Sequence, residues 1–275
     1  MYKLTKVIIA SLTLLLFATL GAATAETELT VDQIVANGLR ANYYQGQDGR
    51  ARVSMTIVDR QGRERSRELI ILRRDDVDGD DPDDLFIGNQ KFYVFFQRPA
   101  DVRNMVFLVW KNVDGDDDRW LYMPALDLVN RIASSEVRTS FAGSHYFYED
   151  VSGRVQDEDE HELVETTEHF YVLRSTPRNP RNVEFAYYKM WIHRESFMVT
   201  NTKYFDSNDE MYREYEVLEA DTIQDFPTVV KARMSDERIG GHTILEYSNV
   251  EYNIGLPDDI FTERYLRRAP RQYLR

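Results

Sequence analysis

The side chains in this sequence best suited to chemistry are carboxylates, and they cluster. In NVDGDDDRWLYMPALD, Asn112 to Asp127, the residues Asp114, Asp116, Asp117 and Asp118 run into a strand-like Trp-Leu-Tyr-Met segment. Upstream, RRDDVDGDDPDDLFIG repeats the Val-Asp-Gly-Asp-Asp core. A calcium loop needs oxygen ligands at positions 1, 3 and 5, glycine at 6 and glutamate at 12. Counted from Asp76, position 6 is Asp81 and position 12 is Ile87; counted from Asp114, they are Arg119 and Ala125. Both loops lack the turn glycine and the bidentate ligand. Their Asp-Gly pairs suit hairpin tips, where glycine takes positive φ at little cost. The reading is a solvated turn rather than a metal or catalytic centre.

Other reactive types give weaker patterns. His145, His161, His169, His193 and His242 are scattered, with no HExxH spacing, and read as surface residues. Ser144 follows Gly143 in FAGSHYF, but the second glycine of a nucleophile elbow is missing. Ser144 and His145 are adjacent in sequence, which does not make them a hydrogen-bonded pair. Glycine-rich nucleotide loops are absent. In so acidic a chain, paired carboxylates carry little information about glycosidase chemistry. No enzyme and no cofactor is expected.

The elements that would position these residues begin after a leader. MYKLTK carries two lysines, VIIASLTLLLFATL is apolar, and Ala23-Thr24-Ala25 precedes Glu26. That order predicts a cleavable secretory signal over 1–25 and export of a soluble mature chain, with residues 26–275 as one domain. The apolar run is short for a membrane span. There is no cysteine, which excludes disulfides, thiolate metal sites and a lipidated N-terminal cysteine. The formal charge is −13, and losing Lys3 and Lys6 with the leader makes it −15. Such a surface repels phosphates, so no nucleic acid partner is expected.

Thr30 as N-cap with Gln33 three positions on forms a capping box, and Val31, Ile34, Val35 and Leu39 follow helical spacing; a helix is predicted over 31–42. The period then changes to two. RVSMTIVD puts Val53, Met55 and Ile57 on one face, and about ten or eleven strands follow with close turns. RIASSEVRTSFAGSHYFYEDVSGR breaks the alternation as a long excursion with a short helix near 144–150. LPDDIFTERYLRR closes the chain as a short helix opened by Pro257 and Asp258. Alternations such as Arg213-Glu214-Tyr215-Glu216-Val217 mark a polar outer face. So many strands must curl or pack on something, and three helical pieces are too few for a full second layer. The inventory predicts a mainly β (α+β) fold: a curved antiparallel sheet, with helices on its concave side over an apolar cavity.

Aromatic residues are the remaining signal, and most must form core. Strand phase assigns Val53, Met55, Ile57, Phe107, Trp120, Tyr122, Phe141, Phe147, Phe185, Tyr187 and Trp191 to a lipid-sized cavity.

Several separated stretches carry a family resemblance. DGDDDRWLYMPALDLVNRIASSEVRTSFAGSHYFYEDVSGR, FQRPADVRNMVFLVW and GGHTILEYSNVEYNIGLPDDIFTERYL resemble, in order, the motifs of the LolA-like periplasmic outer membrane lipoprotein-sorting protein family, from about Val53 to Leu266. Where that family shows a basic run after Pro-Ala-Leu, this chain keeps only Arg131. The resemblance implies an unclosed half-barrel with lid helices that carries lipid or lipoprotein acyl chains. It also implies handover from an RND-type (MMPL-like) inner-membrane transporter to an outer-membrane acceptor. A non-carrying periplasmic adaptor subunit of such an exporter is the alternative, and it predicts a filled interior. An outer-membrane barrel fits poorly, because YREYEVLEAD and VVKARMSDER alternate apolar residues with charge.

Overall fold

Among the described residues, thirteen antiparallel strands form one sheet in which every neighbour but one is consecutive in sequence. The computed structural model describes residues 28–77 and 87–275. The leader and the middle of the upstream acidic cluster, 78–86, lie outside the described residues. After helix α1 (Val31–Tyr43), a first meander runs through β1 (Asp48–Asp59), β2 (Glu64–Asp75), β3 (Gln90–Arg98), β4 (Val106–Lys111), β5 (Asp118–Met123) and β6 (Leu128–Arg131). The second runs through β7 (Asp159–Thr166), β8 (Phe170–Pro177), β9 (Tyr187–His193), β10 (Val199–Phe205), β11 (Met211–Ile223), β12 (Phe226–Asp236) and β13 (Gly241–Tyr252). The strand order is β6-β5-β4-β3-β2-β1-β13-β12-β11-β10-β9-β8-β7. The seam is β1 on β13, with Val53 opposite Tyr247 and Met55 opposite Leu245. The sheet is mainly β and unclosed, with β6 and β7 at its edges. The expected ten or eleven strands are thirteen, because the short β6 and the close β7–β8 hairpin separate out as strands of their own.

This order dictates the long excursion. The chain leaves the sheet at one edge, Arg131, and re-enters at the other, Asp159. Twelve inter-strand spacings of about 4.8 Å would put flat edges roughly 58 Å apart. The linking residues include turns and helix α2 (Tyr148–Ser152), so they are far from extended. The sheet therefore curls, and the link crosses its hollow. Phe141, Tyr146 and Tyr148 from the link join Val53, Met55, Leu69, Val94, Met234 and Leu245 in one buried cluster on the concave face.

Helix α1 is the second cover. Its capping box is formed as expected, with Thr30 accepting from the Gln33 amide and Gln33 accepting from the Thr30 amide. Buried Ile34 and Val35 face Leu173 and Ile192 of β8 and β9. Among the described residues no helix is long and apolar enough to cross a membrane.

Val106, Phe107, Leu108 and Val109 of β4 are all fully buried, so this part of the sheet is covered on both faces. The convex cover is the chain's end. Leu256, Ile260, Phe261, Leu266 and Leu274 lie against Ile70, Leu72, Tyr93, Leu108 and Trp120. A turn of 3₁₀ helix (Asp258–Phe261) and helix α3 (Arg264–Arg267) shape this strap where one short helix was expected. Asp48 holds its start by accepting from the amides of Ile254 (2.7 Å) and Leu256 (2.8 Å). Phe261→Ala is expected to destabilise the fold by about 3–5 kcal/mol, measured as a drop in the urea midpoint without a change in slope.

Candidate ligand cavity

Between the sheet and its two covers lies a hollow of about 380 Å³, within the range of small-molecule sites, about 300–1,000 Å³. Its apolar wall comes from alternate residues of the strands and one face of α1. Val53 and Met55 of β1, Met190 and Ile192 of β9 and Leu245 of β13 face Val35 and Leu39 of α1. Gly38 lets the helix approach closely: an added Cβ would lie 3.2 Å from the Ile192 side chain.

Charged groups fix the crossing link over this hollow. Arg213 of β11 is fully buried and pairs with Asp150 of α2, its guanidinium 4.0 Å from the centre of the Phe147 ring. Arg138 bridges Glu149 of α2 and Glu184. Arg154 binds Glu149 (3.1 Å) and Asp159 (2.9 Å), and Asp159 also accepts from the Tyr188 hydroxyl (2.7 Å). Burial pushes the Glu184 carboxyl up, but its hydrogen bonds and ion pair with Arg138 more than offset this and leave it below the usual range. A depressed carboxylate stabilises the fold above its unfolded pKa, and that contribution is lost as pH falls through the folded value. Arg213 belongs to an alternation that reads as a polar outer face. It shares Tyr215's side of β11, so it points inward, and Glu214 and Glu216 take the outer side.

A second group of bonds holds the end of α1. The buried Arg73 guanidinium donates to the carbonyls of Tyr43, Gln45 and Gly46 and to Asp75. Gln90 donates to Tyr43 and Asp75, both at 2.7 Å. Carbonyls left over at the helix end thereby find donors. Lys111 donates to the Ser152 carbonyl (2.7 Å) and lies over the rings of Tyr43 and Tyr44, joining both covers. Desolvation lowers its pKa to about 8.

The residues predicted to line a cavity divide. Val53, Met55 and Phe141 do line it. Ile57 and Phe107 are buried in the concave cluster beside it, Phe107 with its ring centre 5.4 Å from that of Phe141. Phe147 lies under Arg213, and Phe185 sits between Tyr188, Tyr204 and Arg138. Trp120 and Tyr122 are on the convex face with the C-terminal strap, since Leu121 is the β5 residue that faces inward. Tyr187 and Trp191 are also on the outer face, Tyr187 stacked on Phe205 and Trp191 under Lys203, because Tyr188, Met190 and Ile192 point inward. One residue of phase separates each from the cavity. Sequence reasoning missed Tyr204, Tyr215 and Tyr247, which do line it; their alternation with polar neighbours was the available signal.

Asp114 and Asp116 are exposed at the hairpin tip, as expected for a solvated turn. Asp117 departs from that reading: its side chain is only 8% exposed, paired with Arg119 (2.6 Å), and accepts from the Asn112 amide (2.9 Å). Arg131 pairs with Asp118. Among the described residues no group of three or more metal-ligating side chains occurs. His145 is buried rather than on the surface, because its ring binds Thr243 Oγ1 (2.8 Å) and the Gly240 carbonyl (3.2 Å). Burial lowers its pKa. The Ser144 hydroxyl donates to the Tyr146 carbonyl instead of pairing with His145.

With this geometry in view, a family model described as "Uncharacterized protein" matches residues 88–268, from the approach to β3 through α3. The chain belongs to that family. A DUF1329 family protein from Desulfovibrio piger shares the fold with a TM-score of 0.73 and 26% identity, over 86% of this chain and 98% of that one. An outer membrane lipoprotein-sorting protein domain from Vibrio parahaemolyticus gives a TM-score of 0.74 at 23% identity, over 85% and 97%. A LolA superfamily protein from Nitrosomonas europaea gives 0.64 at 19% identity, over 86% and 100%. The family member described here thus has the LolA-like fold that its motifs resemble. No curated protein matches its sequence.

Two outcomes test the fixing bonds. Arg213→Met alone leaves Asp150 buried without its cation and is expected to cost about 3–5 kcal/mol, with Arg213→Met/Asp150→Leu recovering most of it, by urea denaturation. For Lys111, burial holds the folded pKa near 8, below the ordinary lysine value of 10.5. The unfolded chain therefore holds more protons above pH 8, and stability should rise between pH 8 and 9.5. That rise should disappear in Lys111→Met.

Proposed function

We propose that this protein is a non-enzymatic carrier that holds lipid or lipoprotein acyl chains in the hollow and moves them across the periplasm. The observation that carries the reading is the hollow itself, apolar along α1 and the central strands and left unfilled by side chains. The alternative of a non-carrying adaptor predicts a filled interior and loses support from it. The LolA-like fold and the lipoprotein-sorting domain among its structural neighbours favour the same reading.

Each buried CH₂ is worth about 0.8 kcal/mol, so capture of an acyl chain needs no polar contact. Release does need a receiver, because apolar capture has no off-switch. An RND-type transporter as donor and an outer-membrane acceptor, on either side of a periplasmic route opened by the leader 1–25, complete the proposal. The lids are the two parts able to move: α1 and the crossing link are held to the sheet by side-chain bonds, whereas the strands share continuous ladders.

Val53→Trp and Met55→Trp add bulk at the floor of the hollow. Each is expected to weaken binding of a fluorescent hydrocarbon probe at least about tenfold, a change of about 1.4 kcal/mol, in a titration of purified protein. Trp120→Ala on the convex face should leave the affinity unchanged. Saturable 1:1 binding absent from the wild type, together with no lipid in an organic extract of protein purified from its host, would refute carriage.

A further inference from the structure

The wall of the hollow is not uniformly apolar. Tyr43 of α1, Tyr146 of the crossing link, Tyr204 of β10, Tyr215 of β11 and Tyr247 of β13 all line it. Two further lining tyrosines have partners, Tyr188 on Asp159 and Tyr252 on Thr228. The hydroxyl of Tyr146 has less than 1 Å² of accessible surface and no hydrogen-bond partner, and its side chain is more than nine-tenths buried. Among the described residues, none of the other four hydroxyls hydrogen-bonds to the protein either. Buried phenols normally find partners, so four unengaged hydroxyls from four separate elements face a space that can supply one, with the sealed Tyr146 hydroxyl packed beside them.

The charge around that space limits what the partner is. Arg50, Arg73, Asp150 and Arg154 line the hollow, and each is already paired, with Glu251, Asp75, Arg213 and Glu149/Asp159. His161 also lines it, with one ring nitrogen on Ser175 Oγ (2.8 Å) and the other on the Gln156 carbonyl (3.0 Å). Both of its ring nitrogens are therefore engaged within the protein. No lining cation is left to neutralise a carboxylate or phosphate entering from a ligand, and the Asp150 carboxylate would repel one. An ion buried without a partner is strongly disfavoured. The tyrosines themselves stay protonated, since burial pushes Tyr204 and Tyr247 up to about 12 and raises Tyr43, Tyr146 and Tyr215 as well.

We propose that the cavity selects an uncharged lipid alcohol, whose aliphatic part lies along α1 and β9 and whose hydroxyl hydrogen-bonds to the tyrosine cluster. This deepens the carrier reading and rests on it: an alcohol head replaces the bare acyl chain as the feature recognised. A phenol both donates and accepts, so one ligand hydroxyl satisfies two tyrosines without bringing in charge.

Displacement of a fluorescent hydrocarbon probe by chain-matched hexadecane, hexadecanol, palmitate and lysophosphatidylglycerol tests the selection at pH 7.5. Hexadecanol is expected to compete about 3- to 10-fold better than hexadecane, the worth of one net hydrogen bond. Palmitate and lysophosphatidylglycerol should compete more weakly than hexadecanol. In Tyr215→Phe/Tyr247→Phe the alcohol's advantage should vanish while probe and hexadecane affinities hold, which separates lost recognition from lost folding. Palmitate or the lysophospholipid competing as well as hexadecanol, or an alcohol preference intact in the double variant, would overturn the proposal. If the wild-type protein fails to bind even the hydrocarbon probe, the carrier reading fails first.

Discussion

The fold depends on a crossing that its strand order makes unavoidable. One meander runs outward from β1 and the other runs inward to β13, so the chain has a single long journey, from edge to edge. A flat sheet would strand that link; a curled sheet shortens it and gives it an apolar floor. The link is too irregular to hold itself by backbone ladders, and the protein fixes it with the buried pairs of Arg213, Arg138 and Arg154 to Asp150, Glu149, Glu184 and Asp159. Such pairs add little net stability against an apolar alternative. They do set where α2 lies, since each arginine has one geometry that satisfies its partners. The hollow is what remains when a link positioned by charge does not sink to the depth that apolar packing alone would give it.

Much of this was legible in the residues, and the failures have physical causes. Helix α1 was readable because the Thr30–Gln33 capping box and the period of Ile34, Val35 and Leu39 are local. The face of β1 was readable because Val53, Met55 and Ile57 alternate with Ser54 and Thr56. Trp120 and Trp191 misled because a strand with aromatic residues on both faces carries no sign of which face is the hollow. Only the cover decides that, and the cover of β5 comes from residues 256–274, far away in sequence. The partner of Arg213 was hidden by distance: an arginine in a strand shows no burial until its acid is known, and Asp150 is 63 residues away. The lining tyrosines were hidden in segments that look like an ordinary polar-apolar alternation.

The two covers differ in kind. Helix α1 rests on apolar contacts with β8 and β9 and is tied down at its C-terminal end by Arg73 and Gln90. The link is tied at many points by charge. Lys111 is the side chain that touches both, through the Ser152 carbonyl and the rings of Tyr43 and Tyr44. Gly153 adds a steric joint between them, since a Cβ there would meet the Tyr43 ring at 2.6 Å.

The β1–β13 seam has a consequence for how the molecule is made. Gly49 pairs with Tyr252, so the middle of the sheet joins residues from opposite ends of the polypeptide. Both meanders can zip up from local hairpins, but their union waits for the last strand to emerge. Contacts of such long separation slow folding, and until they form, each half exposes a raw strand edge. The topology keeps the sheet from closing early, and its assembly finishes only when the last strand has arrived.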